Sequence, residues 1–104
     1  MKELEKLKSE AMARNAGKAA MLLKQLANAK RLAILCALVK GSQSVGNLAK
    51  LSDLSHSSVS QHLAKMKAAG LVTSEKHGQM VHYSLASMEV SALLSTLYLI
   101  YCRD

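Results

Sequence analysis

The apolar residues of this chain change period once, and the change divides it into helices and strands. Between residues 2 and 27, Leu4, Leu7 and Ala11 and then Leu22, Leu23 and Leu26 form one side of a long helical pattern. Asn28 can accept from the first free amides of a helix, and it predicts a second helix over residues 30–40 that stops at Gly41. Its expected buried stripe is Leu32, Leu35, Cys36 and Val39, with Ile34 and Leu38 beside it. Ser44 predicts the start of a short third helix through Val45, Leu48 and Leu51. After a turn at Ser52, Asp53 and Leu54, Ser55 caps a fourth helix that reaches Ala69 and ends at Gly70. The period then shortens. Residues 71–77 and 80–85 read as strands joined at Gly78 and Gln79, with Val81, Tyr83 and Leu85 alternating with His82 and Ser84. Ser87 opens a last helix that carries Leu93, Leu94, Leu97, Tyr98 and Tyr101 to the end of the chain.

A short helix, a tight turn, a second helix and a hairpin in succession predict a mainly α fold with a small β-hairpin. This is a winged helix-turn-helix, in the order α-α-α-α-β-β-α, with residues 1–104 as a single domain. The absence of proline and the presence of only five glycines agree with so much helix. The apolar sides of the first and last helices exceed what a small core can cover. They predict a symmetric homodimer, with Leu4, Leu7, Leu94, Leu97 and Tyr98 as contacts.

Charge narrows the class of partner. The 104 residues carry 14 Lys and Arg against 7 Asp and Glu, a formal net charge of +7. That excess favours a polyanion, nucleic acid or an acidic membrane surface, although a merely soluble basic protein would show the same balance. No membrane association is expected, because the most apolar stretch, residues 90–102, is interrupted by Ser91, Ser95 and Thr96 and is too short to span. The first six residues mix acids and bases without an apolar run, so no export signal is read and a cytoplasmic location is expected. Two cysteines in that compartment are expected as reduced thiols. No enzyme signature is present: Gly-x-Ser-x-Gly is missing, and Gly46 is followed by Asn47 and Leu48 rather than the Lys and Ser/Thr of a phosphate loop. Nothing calls for a cofactor.

The fourth helix carries the chemistry. At about 100° per residue, Val59, Leu63 and Met66 share a face that must be the core face. The opposite face is centred on Gln61 and holds Ser57, Ser58, Ala64, Lys65 and Ala68, with Ser60 and His62 on its flanks. Short hydroxyls and a glutamine can reach base edges in the major groove, and glutamine matches adenine N6 and N7. On an isolated helix such a face would be ordinary solvated surface. As the second helix of a helix-turn-helix in a basic protein, it points to duplex DNA. The hairpin tip, Lys76, His77, Gly78 and Gln79, can donate to phosphate or enter the neighbouring minor groove. There is no Phe or Trp, and the three tyrosines cannot assemble a base-stacking platform, so RNA and single strands are disfavoured.

Three segments carry a resemblance: Leu26 to Leu35, Leu54-Ser55-His56-Ser57-Ser58-Val59-Ser60-Gln61-His62-Leu63, and Gly70-Leu71-Val72. Together they resemble the ArsR/SmtB family of bacterial repressors over nearly the whole chain. The resemblance implies a dimer joined through the first and last helices, bound to an inverted-repeat operator in double-stranded DNA and released by a small inducer.

Many members of that family sense metals, and here the sequence departs from them. Residues 45–52 offer no cysteine or histidine, residues 87–104 hold only Glu89 and Asp104 as hard-metal ligands, and His56, His62, His77 and His82 all fall in the reading head. No metal site is expected. The placement of Cys36 on the second helix and Cys102 near the chain end is instead similar to the dithiol, persulfide- and redox-sensing subgroup. That resemblance implies a cysteine pair bridged by a small reactive sulfur or oxidant inducer. Read from spacing alone, Cys36 shares the apolar stripe of Leu32, Leu35 and Val39, where a cysteine is most often a small core residue, while Cys102, beside Arg103, has less of a packing role. A metal-responsive or constitutive regulator, or an anti-silencing activator with structural cysteines, is the alternative.

Overall fold

The computed structural model describes residues 1–102, at Cys102 the backbone only. The order is α1 (Lys2–Leu26), α2 (Ala29–Leu38), β1 (Gln43–Ser44), α3 (Val45–Ser52), α4 (His56–Ala68), β2 (Val72–His77), β3 (Met80–Leu85) and α5 (Met88–Leu97), the last passing into a π-helical turn at Tyr98–Cys102. Helix starts are decided locally. Asn28 Oδ1 accepts from the amides of Lys30 and Arg31 at 3.0 and 3.1 Å, and Ser44, Ser55 and Ser87 hydroxyls accept from Asn47, Ser58 and Val90 at 3.2, 3.1 and 3.2 Å. Each satisfies an amide that the helix itself leaves open.

The exit of α4 is equally specific. The amide of Gly70 donates to Lys67 and that of Leu71 to Met66, at 3.1 and 2.9 Å, with Gly70 at φ 79. This is the left-handed helix end that glycine adopts without strain, and it folds Leu71 back over Met66. Leu71 and Val72 therefore enter the same core as Val59, Leu63 and Met66. Ile34, Leu35 and Leu38 from α2, Leu48 from α3, Val90 and Leu94 from α5 and Leu26 from α1 complete it. The fold is the winged helix-turn-helix expected from the order of elements.

Several expectations are corrected. The buried stripe of α2 is Ile34, Leu35 and Leu38, while Leu32, Cys36 and Val39 are only half-buried. Almost every position of that helix is apolar, so periodicity could not orient it. Leu51 stands 57% exposed, because two turns of α3 bury little beyond Leu48. Leu94, expected at a dimer contact, lies fully inside the core. The wing has a third strand: β1 pairs antiparallel with β3 through Gln43↔Tyr83 and Ser44↔His82, giving the order β1-β3-β2. A two-residue strand has no period to read.

Candidate nucleic-acid interface

Helix α4 is set by its buried face. Val59, Leu63 and Met66 have no exposed surface, which turns Ser57, Ser60, Gln61, Ala64, Lys65 and Ala68 outward. Ser58 is half-buried, its amide engaged by the Ser55 cap. The α3–α4 turn is closed by Asp53, a non-glycine residue in the left-handed region (φ 57), and by the Leu54 amide on the Ala49 carbonyl at 3.2 Å. The exposed hydroxyls and Gln61 thus sit on a rigid helix with a basic residue one turn further on.

The wing extends from the same core. Its strands pair from Val72↔Leu85 out to His77↔Met80, and only the first of the two turn residues, Gly78, has positive φ (63). Glycine is favoured at that position of a two-residue hairpin turn. Lys76, His77 and Gln79 are exposed at this tip, as a phosphate- or groove-contacting element requires. The His77 ring lies 5.1 Å from that of His82, and its Nε2 is 3.7 Å from the Glu75 carboxylate. Sequence reasoning passed over Lys67, whose ammonium donates to the Ser74 hydroxyl at 2.6 Å and links α4 to the wing.

His62 departs from the rest of its group. It is half-buried, and its Nδ1 is closed off from solvent with no hydrogen-bond partner among the described residues. Burial first, and then the charges of Arg31, Lys30 and Lys65, hold its imidazole below the ordinary value of 6.5. The histidine thus turns toward α2, whose first-turn cations were not singled out in the sequence. The only signal for them was their position directly behind the Asn28 cap.

Cys36 also differs from its expected setting. It is half-buried and lines a cavity of about 500 Å³ together with Lys40, Gln43, Leu51 and Tyr98. The Lys40 ammonium stands 5.7 Å from the centre of the Tyr98 ring. Tyr98 begins the π-helical turn that Cys102 ends, while the Cys102 side chain lies outside the described residues. Among the described residues, no three His, Cys, Asp or Glu side chains come together to hold a metal ion, and no helix is long and apolar enough to cross a membrane.

Comparison with known proteins agrees with this geometry. The family model described as "Bacterial regulatory protein, arsR family" matches residues 28–74, from the cap of α2 into the wing. The transcriptional activator HlyU of Vibrio cholerae is 46% identical over 92 residues, 88% of this chain and 85% of that protein. The structure of its reduced form superposes with a TM-score of 0.83 at 45% identity, over 90% of this chain and 99% of that one. A biofilm growth-associated repressor of Agrobacterium fabrum is 36% identical over 92 residues, 88% of this chain and 79% of that protein. A homodimeric winged helix-turn-helix DNA-binding domain from Mycobacterium bovis, a possible ArsR-family regulator, aligns with a TM-score of 0.73 at 28% identity, over 86% of this chain and 82% of that one. With the recognition helix, the wing and these likenesses in agreement, the chain belongs to the ArsR family of bacterial regulatory proteins, transcriptional regulators that bind DNA.

Proposed function

We propose that the chain is a homodimeric repressor that reads an inverted-repeat operator through Ser57, Ser58, Ser60, Gln61, His62 and Lys65, with Lys76, His77 and Gln79 on the flanking backbone. Its grip is released when a persulfide or oxidant bridges Cys36 and Cys102. The dimer is supported by the exposed apolar side chains of α1, Leu4, Leu7, Met12, Met21 and Leu23, and by Leu99 and Ile100 after α5. Among the described residues nothing covers them.

The observation that carries the switch is the position of Cys36. It lies in a cavity shared by α2 and the turn that leads to Cys102, and not in the apolar core where a structural cysteine belongs. Lys40 on the cavity wall suits an anionic sulfur donor. Transfer of sulfane sulfur to one thiolate releases the donor as its thiolate. Attack by the second cysteine then forms the bridge and expels hydrosulfide. The bridge ties α2, beneath the reading head, to the end of α5, and a change of spacing between two heads about 34 Å apart spoils their simultaneous fit. A coupling of about 1–3 kcal/mol changes occupancy five- to hundred-fold.

The test is Cys36→Ser and Cys102→Ser, made separately, with operator affinity measured with and without persulfide. Each variant binds like the reduced wild type and ignores the inducer. A single variant that still lets go on treatment overturns the two-cysteine switch. A second reading, activation by displacing a bound silencer, is favoured by the activator among the relatives. Transcription from an isolated promoter with no silencer present separates the two.

A further inference from the structure

The junction of α2 and α4 holds a group of cations that no described residue balances. Arg31 is fixed there by α1: its Nη1 donates to the carbonyl of Gln25 at 3.3 Å and to its Oε1 at 2.7 Å. Both acceptors are neutral. Arg31 Nε and His62 Nδ1 are each closed off from solvent, and neither has a hydrogen-bond partner among the described residues. The charges that act on His62 are Arg31 and Lys30 from α2 and Lys65 from α4 itself, all positive. Lys50 on α3 and Glu75 and Lys76 on β2, the elements packed against α4, are not among them. Two buried nitrogens without hydrogen-bond partners, one of them on Arg31 and both close to the positive charges of Lys30 and Lys65, are costly unless an anion arrives.

The anion has a direction to come from. Lys65 and Lys30 are exposed, and Lys65 shares the outward face of α4 with Gln61 and Ser57. The backbone amides of Lys30 and Arg31 are already taken by Asn28, so only the side chains can receive it. We propose that Lys30, Arg31, His62 and Lys65 form one phosphodiester-binding cluster at the α2–α4 junction, and that His62 takes up a proton from solvent when duplex DNA occupies it. In the free protein burial, and then the three cations, disfavour the charged imidazole. A phosphate among them reverses the local field and favours the protonated ring. This rests on the DNA-binding reading, and it adds a proton to the binding equilibrium, so DNA affinity rises as pH falls.

His56, His77 and His82 are three further histidines in α4 and the wing, so the pH dependence of the wild type alone does not isolate His62. The experiment is an NMR titration of the His62 imidazole in the intact protein, free and saturated with a duplex of about 30 base pairs, long enough for two half-sites. It is paired with affinities of wild type and His62→Gln at constant ionic strength. The expected result is a His62 midpoint that moves upward on binding DNA. The wild-type advantage over His62→Gln grows about three- to ten-fold between about pH 8 and pH 6, since one linked proton changes affinity by at most ten-fold per pH unit. A midpoint equal in the two states overturns the proposal, even if His62→Gln fails to fold. A midpoint moved as far by inorganic phosphate as by the duplex overturns DNA as the occupant. A wild-type protein that binds no duplex at any pH fails the DNA-binding reading itself.

Discussion

Helices α4 and α1 show two ways for a helix to be justified. Over 13 residues, α4 buries Val59, Leu63 and Met66 completely and turns a polar face outward, so its side chains are accounted for within one chain. Over 25 residues, α1 buries only Leu26 and half-buries Ala11, Leu22 and Gln25. Residues 2–21 lie outside the core, with Leu4, Leu7, Met12 and Met21 in the open. An amphipathic helix anchored at one end agrees with the proposed dimer, because isolated helical segments are marginal in water.

The largest effect that would break this comparison is in the core face of α4. Leu63→Ala removes a fully buried side chain and costs about 2–5 kcal/mol, read as a lower urea midpoint with an unchanged slope. Leu7→Glu is its counterpart on α1. It leaves the winged-helix core within about 0.5 kcal/mol but weakens self-association, so light scattering at micromolar concentration reports monomer. A dimer that survives this change ends the assignment of α1 to the interface. Next is Gln61→Ala, which costs about 1–3 kcal/mol per half-site and relaxes sequence preference, whereas Lys76→Ala weakens all duplexes alike and lowers the salt slope by about one. The smallest effect sits in His62. Its folded-state value is lowered, so the unfolded chain binds the proton more readily. Its contribution is therefore complete above the ordinary value of 6.5 and is lost as pH falls through that range. In His62→Gln, urea unfolding between about pH 8 and pH 5 lacks this part of the decline.

Much of the fold was legible because its decisive signals are local. Asn28, Ser44, Ser55 and Ser87 each announce a helix within three residues, and Gly70 and Gly78 mark the two turns that frame the wing. The outward face of α4 followed from spacing alone, since its apolar residues are few and well separated. Where apolar residues crowd, spacing fails. The sequence Leu32 to Val39 fits several rotations equally, which misplaced Cys36 in the buried stripe. Strand β1 owes its existence to a partner about 40 residues away, a non-local contact of the kind that periodicity does not register. Near His62, the influence of α2 was hidden for the same reason: the charges of Lys30 and Arg31 act on His62 only through the tertiary fold.

The sharing of one core by Met66, Leu71 and Val72 has a consequence for the kinetics of recognition. The helix proposed to meet the major groove and the hairpin beside it are joined through that core, so docking is expected to freeze little internal motion. The entropic penalty that loosely tethered reading elements incur is then expected to be small. Amide hydrogen exchange in α4 and β2 should then change little on binding, and differences in residence time on DNA should trace to how the two heads are held relative to each other.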